Sequence, residues 1–329
     1  MLKKVILITG ANGEIGQYLI KELNRKNIEN ILAIDLHPLS IQCRIEQYLQ
    51  GSILDIKLLK AIQEKYIVSE IYHLAAILST KAEKNIQLAN DVNIKGTKNI
   101  LDLAKKLGKK YMIKIPFFFP SSIAVYNTIS NNSFTINEEM TEEKPITIYG
   151  QAKLKCEKMG FDYMKNCNSK EIDFRCIRFP GIISASTMPS GGTSDYVPEM
   201  IHHAAKNLKY ECFIKKDSQL PFIVMPDAIQ AIFNLMNADI NQLTTYIYNI
   251  TSFNQPTHNF YLKIKNYYPQ FEMIYDIDLK RQKIVDSWPN NINDKKAKED
   301  WGWEPQYNFD NAFNKYIFPE IKNIIQETM

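Results

Sequence analysis

Short apolar runs alternate with amphipathic stretches through the first half of the chain. Residues 5–9, 31–35 and 71–75 are nearly continuous in apolar side chains, the pattern of strands buried on both faces. Around them, residues 15–24, 53–63 and 91–107 carry apolar positions every three or four residues, which predicts helices. Strand and helix in alternation imply a parallel sheet covered on both sides by right-handed crossovers, a doubly wound Rossmann-type α/β fold. Residues 111–119 are rich in β-forming side chains but include Pro116. Proline lacks the N–H that a central strand donates, so a bulge or a late strand start is predicted there.

Composition narrows the function classes. The 329 residues are 45% hydrophobic and 23% charged, ordinary values for a packed globular protein. The net charge of +4 comes from 40 basic against 36 acidic residues spread along the chain. The densest basic cluster, Lys105, Lys106, Lys109 and Lys110, ends a helical pattern, where cations complement the helix dipole. No nucleic-acid interface is expected from it. Five cysteines with no C-x-x-C pair argue against a disulfide framework and a structural zinc. His202 and His203 are adjacent and point away from each other on a helix, so no metal is expected. The apolar run after Met1 is too short for a signal segment or a membrane span, and a reducing, cytoplasmic compartment is expected.

The first strand runs into Gly10-Ala11-Asn12-Gly13-Glu14-Ile15-Gly16 at the start of a helix. Glycines there permit a tight turn and let backbone N–H groups approach a pyrophosphate at the positive helix end. Asp35 ends the second strand about twenty residues on, where a carboxylate accepts bonds from ribose hydroxyls. Its charge repels a 2′-phosphate, which favours NAD over NADP. Residues 1–180 therefore read as an NAD-binding Rossmann domain and 181–329 as mainly a smaller substrate-binding domain. The chain is expected to return to the first domain near 222–251.

Tyr149 and Lys153 stand four residues apart, on one face if helical. A nearby ammonium favours phenolate, which would prepare Tyr149 as a general base. Tyr261 and Lys265 repeat the spacing, but only the first pair follows a serine turn, Ser121-Ser122, at the end of a strand-like run. The second pair is assigned to a surface helix.

Together the glycine turn, Asp35, His73-Leu74-Ala75-Ala76, Ser122-x-x-Val125-Tyr126 and Tyr149-x-x-x-Lys153 resemble the extended short-chain dehydrogenase/reductase superfamily. Further segments resemble its short-chain, metal-independent L-threonine 3-dehydrogenases: residues 178–184 and 189–196, Leu220-Pro221, Asp286-Ser287-Trp288-Pro289 and Asp300-Trp301-Gly302-Trp303. The resemblance spans nearly the whole chain. It implies oxidation of the L-threonine 3-hydroxyl to 2-amino-3-oxobutanoate, with Tyr149 as base, Ser122 bonding the same oxygen, and Lys153 holding the nicotinamide ribose. It also implies that Gly10, Gly13, Glu14, Ile15 and Gly16 bind pyrophosphate and that Asp35 and Leu36 bind the adenosine ribose. Ser52, Ile53, Leu74, Ala75, Ala76, Asn93, Phe179 and Ile182 would line the cofactor. Ser79, Thr193 and Trp288 would face the amino-acid end of the substrate, and a homodimer through residues 91–107 and 149–163 is implied.

The chain departs from the family pattern at several places, and the run over residues 111–119 is longer than the family's strand. Ser52 replaces an aspartate directed at the adenine amine, Asn127 a glycine, and Pro226-Asp227 an acidic pair. Asp195 reads either as a partner for the substrate ammonium or as a loop or helix-capping residue, and His73 as a satisfied core histidine. Two rivals stand beside the dehydrogenase: a sugar-nucleotide epimerase or reductase, for which Arg281 is the one evident diphosphate ligand, and a non-catalytic NAD-sensing protein.

Overall fold

The structure is a computed structural model that describes residues 2–128, 135–139, 144–166, 170–187, 189 and 191–328. Cys167, Met188 and Ser190 lie outside the described residues. In chain order the strands are β1 (Lys3–Thr9), β2 (Ile31–Asp35), β3 (Gln47–Gln50), β4 (Tyr66–His73), β5 (Ile115–Ser122), β6 (Ile172–Phe179), β7 (Gly181–Ile183), β8 (Tyr210–Cys212), β9 (Gln219–Val224), β10 (Ile247–Asn249), β11 (Phe253–Pro256) and β12 (Met273–Tyr275). The helices that matter to the site are α1 (Glu14–Arg25), α2 (Ile56–Lys65), α3 (Ser79–Lys84), α4 (Ile86–Asn90), α5 (Thr97–Tyr111), α6 (Ile148–Asn166), α7 (Tyr196–Ala205), α8 (Met225–Asn237), α9 (Thr257–Tyr267) and α10 (Leu279–Asp286).

Two units divide the chain. The first comprises Met1–Ser122, Ile148–Arg178 and Ile229–Tyr248; the second comprises Ile123–Thr147, Phe179–Ala228 and Asn249–Met329. The sequence reading assigned all of 1–180 to the first domain, whereas 123–147 belongs to the second unit. That stretch has no helical or strand periodicity to tie it to the sheet. Within it, Tyr126 donates its hydroxyl to the Asn249 side chain at 2.8 Å, and Thr128 N donates to Ser287 O at 2.9 Å.

The first unit is built on a seven-strand sheet in the order β3-β2-β1-β4-β5-β6-β10, parallel and flanked by helices. This is the doubly wound order, with the reversal between β1 and β4. The apolar runs pack as their pattern implies: Val5, Leu7, Leu32, Ile34, Ile71 and Phe117 are buried against Ile100, Leu103 and Leu107 of α5. Strand β4 stops at His73, two residues before the predicted end, because the chain turns there to meet the loop after β1. Pro116 is the second residue of β5, and the ladder to β4 begins at Phe117, paired with Ile71. The missing N–H therefore falls ahead of the ladder to β4, while on the other side Ile115 N already donates to Glu171 O at 3.0 Å. The predicted helix over 91–107 divides into a π-helical turn, Asp91–Gly96, and α5. Strand β3 has no counterpart in the sequence reading, since its Gln-Tyr-Leu-Gln edge is only partly covered.

Three charges in β6 are buried and paired. Arg175 binds Asp173 at 2.6 Å and also donates to the carbonyls of Met236 and Ala238, closing the C-terminal end of α8. Arg178 pairs with Glu157 of α6. The second unit carries a three-strand sheet, β11-β9-β7, and a β12-β8 pair. Tyr196, Phe222, Phe260, Phe309 and Phe313 form an edge-to-face aromatic core there, the arrangement that ring quadrupoles favour.

Candidate active site

The turn after β1 is shaped by two glycines. Gly10 has φ +69°, and a Cβ on it would lie 2.6 Å from Ala75 N and 2.7 Å from the Leu74 carbonyl carbon. Only glycine takes that backbone without strain while the loop after β4 lies against it. A Cβ on Gly16 would stand 2.5 Å from Gly10 O, so the start of α1 also rests directly on the turn. Gly13 is the N-cap of α1 and gives it no side-chain cap. A helix start without a side-chain cap is where the dipole favours an anionic ligand.

Asp35 closes β2 over this turn, accepting from Asn12 N at 2.9 Å through Oδ2 and from His37 N at 3.2 Å through Oδ1. Each oxygen keeps a lone pair for a ribose hydroxyl. Leu36 beside it is 56% exposed, an apolar side chain with room for a ligand. Ser52 Oγ accepts from Leu54 N at 3.1 Å, which leaves one acceptor position in place of a carboxylate. Ile53 is buried, and its carbonyl accepts from Asn99. The glycine cradle, the uncapped helix start and the carboxylate fit a dinucleotide.

Asn93 lies in the π-helical turn ahead of α5 and is buried. Its amide grips the backbone of Ile77, accepting from the N–H at 2.7 Å and donating to the C=O at 2.9 Å. It holds the loop that carries Leu74, Ala75 and Ala76, all half-buried. Phe179 ends β6 and Ile182 lies in β7, paired with Ile223 of β9.

Helix α6 packs on β5 and on α3. Its first amide, Ile148 N, donates to Glu83 at 2.7 Å, so α3, which begins at Ser79, is fastened beside Tyr149. Glu83 carried no signal in the sequence. Tyr149 is half-buried and Lys153 is 4% exposed. The Lys153 ammonium donates to Pro120 O at 2.5 Å, lies 4.6 Å from the centre of the Phe119 ring, and is 5.6 Å from that of Tyr149. The structure therefore brings the pair together at the end of β5, two residues from Ser122.

Electrostatics run against one expectation. The spacing suggests that Lys153 would acidify Tyr149; burial instead raises the phenol above its ordinary value. Burial also lowers Lys153 from 10.5 to about 8, partly offset by Cys156, Cys176 and Glu157. Glu157, one helical turn beyond Lys153, accepts from Arg178 Nε at 2.9 Å and from a second guanidinium nitrogen at 2.6 Å, and also from Ser121. Arg178 is 2% exposed and Glu157 1%, so this ion pair pins the serine next to Ser122. A signal for it was present, since an arginine inside an otherwise buried strand needs a partner.

In the second unit, Thr193 and Trp288 are buried. Asp195 uses one carboxylate oxygen on the N–H groups of Gly191 and Gly192, at 2.9 and 2.6 Å, so it folds the loop ahead of α7. Arg281, on α10, donates to Gly192 O at 2.7 Å and lies over the Phe213 ring. The second tyrosine–lysine pair is on α9, with Lys265 donating to Phe271 O at 2.7 Å. Among the described residues no group of three or more His, Cys, Asp or Glu could hold a metal ion, and no helix is long and apolar enough to cross a membrane.

A hydride-transfer enzyme that uses NAD, built like the short-chain dehydrogenases, is the class to which this sheet order and these groups lead. The chain belongs to the NAD dependent epimerase/dehydratase family, whose description matches residues 6–251. It is 34% identical to the mitochondrial L-threonine 3-dehydrogenase of Bos taurus over 304 residues, 92% of this chain and 79% of that one. Among solved structures it is similar to a monomeric L-threonine 3-dehydrogenase from a metagenome in its apo form (TM-score 0.87, 37% identity, 97% of this chain and 99% of that one). The GalE-like enzyme of Cupriavidus necator in its holo form is similar as well (TM-score 0.86, 32% identity, 97% and 99%).

Proposed function

We propose that the chain oxidises the 3-hydroxyl of L-threonine to 2-amino-3-oxobutanoate. Bound NAD supplies the acceptor for the hydride that leaves the β-carbon. Tyr149 takes the hydroxyl proton, and Ser122 donates a hydrogen bond to the same oxygen. Lys153, the cation beside Tyr149, is proposed to favour the phenolate form and to hold the nicotinamide ribose. Ser79, Thr193 and Trp288 are proposed to meet the amino-acid end of the substrate.

The observation that carries this reading is the Tyr149–Lys153 pair, one turn apart on α6, with the ammonium anchored two residues from Ser122. The likeness to the named threonine dehydrogenases supports the substrate. The compartment we propose is the cytoplasm, consistent with the free thiols of Cys43, Cys156, Cys176 and Cys212. Arg281 donates one guanidinium bond to Gly192 O and lies over the Phe213 ring.

The test is NADH formation at 340 nm. L-Threonine is expected to give NADH with the wild-type protein, and Tyr149→Phe to lower turnover by about 10²-fold or more, the scale of a lost general base. Conversion of a nucleotide sugar with no response to threonine would overturn the assignment.

A further inference from the structure

A line of hydrogen bonds crosses the first unit beneath the cofactor turn, and its direction can be read from one end. Thr97 Oγ1 donates to the carbonyl of Asn93 at 2.6 Å. A hydroxyl has one proton, so toward His73 Nε2, 2.9 Å away, it can only accept. Nε2 therefore carries the ring hydrogen and Nδ1 is the acceptor, taking the proton of Thr9 Oγ1 at 2.7 Å. Thr9 Oγ1 in turn accepts from Ala75 N at 3.4 Å.

The ring is 1% exposed and stacks on Phe119. Burial, and then the Lys153 charge, lower it to about 3, so it remains neutral in any ordinary buffer. The two ends of the line hold one loop. Thr9 binds Ala75, and Asn93, whose carbonyl ends the line, clasps Ile77. The loop's Ala75 backbone is also what a Cβ on Gly10 would strike. A ring with the other tautomer would face Thr9 with a donor and would leave Thr97 without its incoming bond.

We propose that His73, fixed as its Nε2–H tautomer between Thr9 and Thr97, is a positioning residue that sets the loop after β4 against the glycine turn and so sets the affinity for NAD. This rests on reading Leu74, Ala75 and Ala76 as cofactor lining. His73 itself touches no reacting atom; it acts through the two threonines.

The experiment has two arms. In the cofactor-free protein, nitrogen-15 NMR of the histidine rings should show His73 with Nε2 protonated and Nδ1 bare, unchanged across the pH range in which exposed histidines titrate. In the second arm, calorimetry measures NAD binding. Thr9→Val and Thr97→Val should each weaken it about tenfold, the scale of one lost hydrogen bond, while Thr9→Ser and Thr97→Ser should stay near wild type. Urea unfolding of the same variants keeps a folding defect apart from a loosened loop.

A His73 ring protonated at Nδ1, or one that titrates, overturns the proposal. So do folded valine variants that bind NAD like the serine ones. A wild-type protein that binds no NAD at all overturns the cofactor-lining reading itself, whatever tautomer the ring shows.

Discussion

Lys153→Met should yield a protein that is more stable and inactive. The lysine is 4% exposed, and burial displaces its ammonium from 10.5 to about 8, which corresponds to about 3 kcal/mol of penalty on the charged form in the folded state. Methionine has nearly the same length without the charge. What it loses is the bond to Pro120 O at 2.5 Å, and an unsatisfied buried carbonyl costs about 1–3 kcal/mol. The expected gain at about pH 7 is therefore about 1 kcal/mol, with turnover lower by about 10²-fold or more.

The sign of the pH dependence is the sharper test. Below the folded value the amine is charged in both states, and the folded protein bears the whole penalty. As pH rises from about 8 toward 10.5, the folded state sheds its proton first, and wild-type stability should climb relative to the variant. Tyrosines titrating in that range are common to both proteins and cancel in the difference. Urea unfolding of both at about pH 7 and about pH 10 should show the methionine advantage shrinking and then reversing. An equal gap at both pH values would refute the reasoning, as would a variant less stable than wild type at neutral pH.

Gly10→Ala should abolish NAD binding in calorimetry, since the new Cβ meets Ala75 N at 2.6 Å on a backbone with φ +69°; tight binding by the folded variant would contradict the cradle. Glu157→Ala strips the buried Arg178 of its carboxylate and should cost about 3–5 kcal/mol in urea unfolding, whereas Glu157→Leu with Arg178→Met should recover most of it. Equal losses in the single and the double variant would count against the pair. Along residues 91–111 and α6, every exposed position among the described residues is a lysine except Asp162. A two-fold contact there would oppose like charges, so light scattering at low salt should report a monomer rather than the homodimer the superfamily resemblance implies.

The parts of the fold that were legible share one physical basis. Buried parallel strands need continuous apolar runs, so β1 and β2 announced themselves, and the glycines between them have no other economical use. Strand β3 escaped because an edge strand half open to solvent does not need such a run. The π-helical turn at Asp91–Gly96 escaped because a shifted hydrogen-bond ladder leaves no mark on composition. The closeness of Tyr149 and Lys153 was legible from spacing, which fixes where two Cα atoms stand. It does not fix where a four-carbon side chain sends its ammonium, and so the bond to Pro120 and the raised phenol of Tyr149 were out of reach. His73 was legible as a satisfied core residue, but its partners come from three separate stretches of chain.

The sheet order has a consequence for how the chain must be made. Strand β10, the neighbour of β6, is spelled out only at residues 247–249, after some seventy residues of other structure. On a ribosome, six strands can assemble while β6 waits with a bare edge, a template for pairing with another nascent chain. A fragment cut after Arg178 would keep that edge permanently and should be prone to clump, so the nucleotide-binding half of this molecule is not a module that can be cut out and used alone.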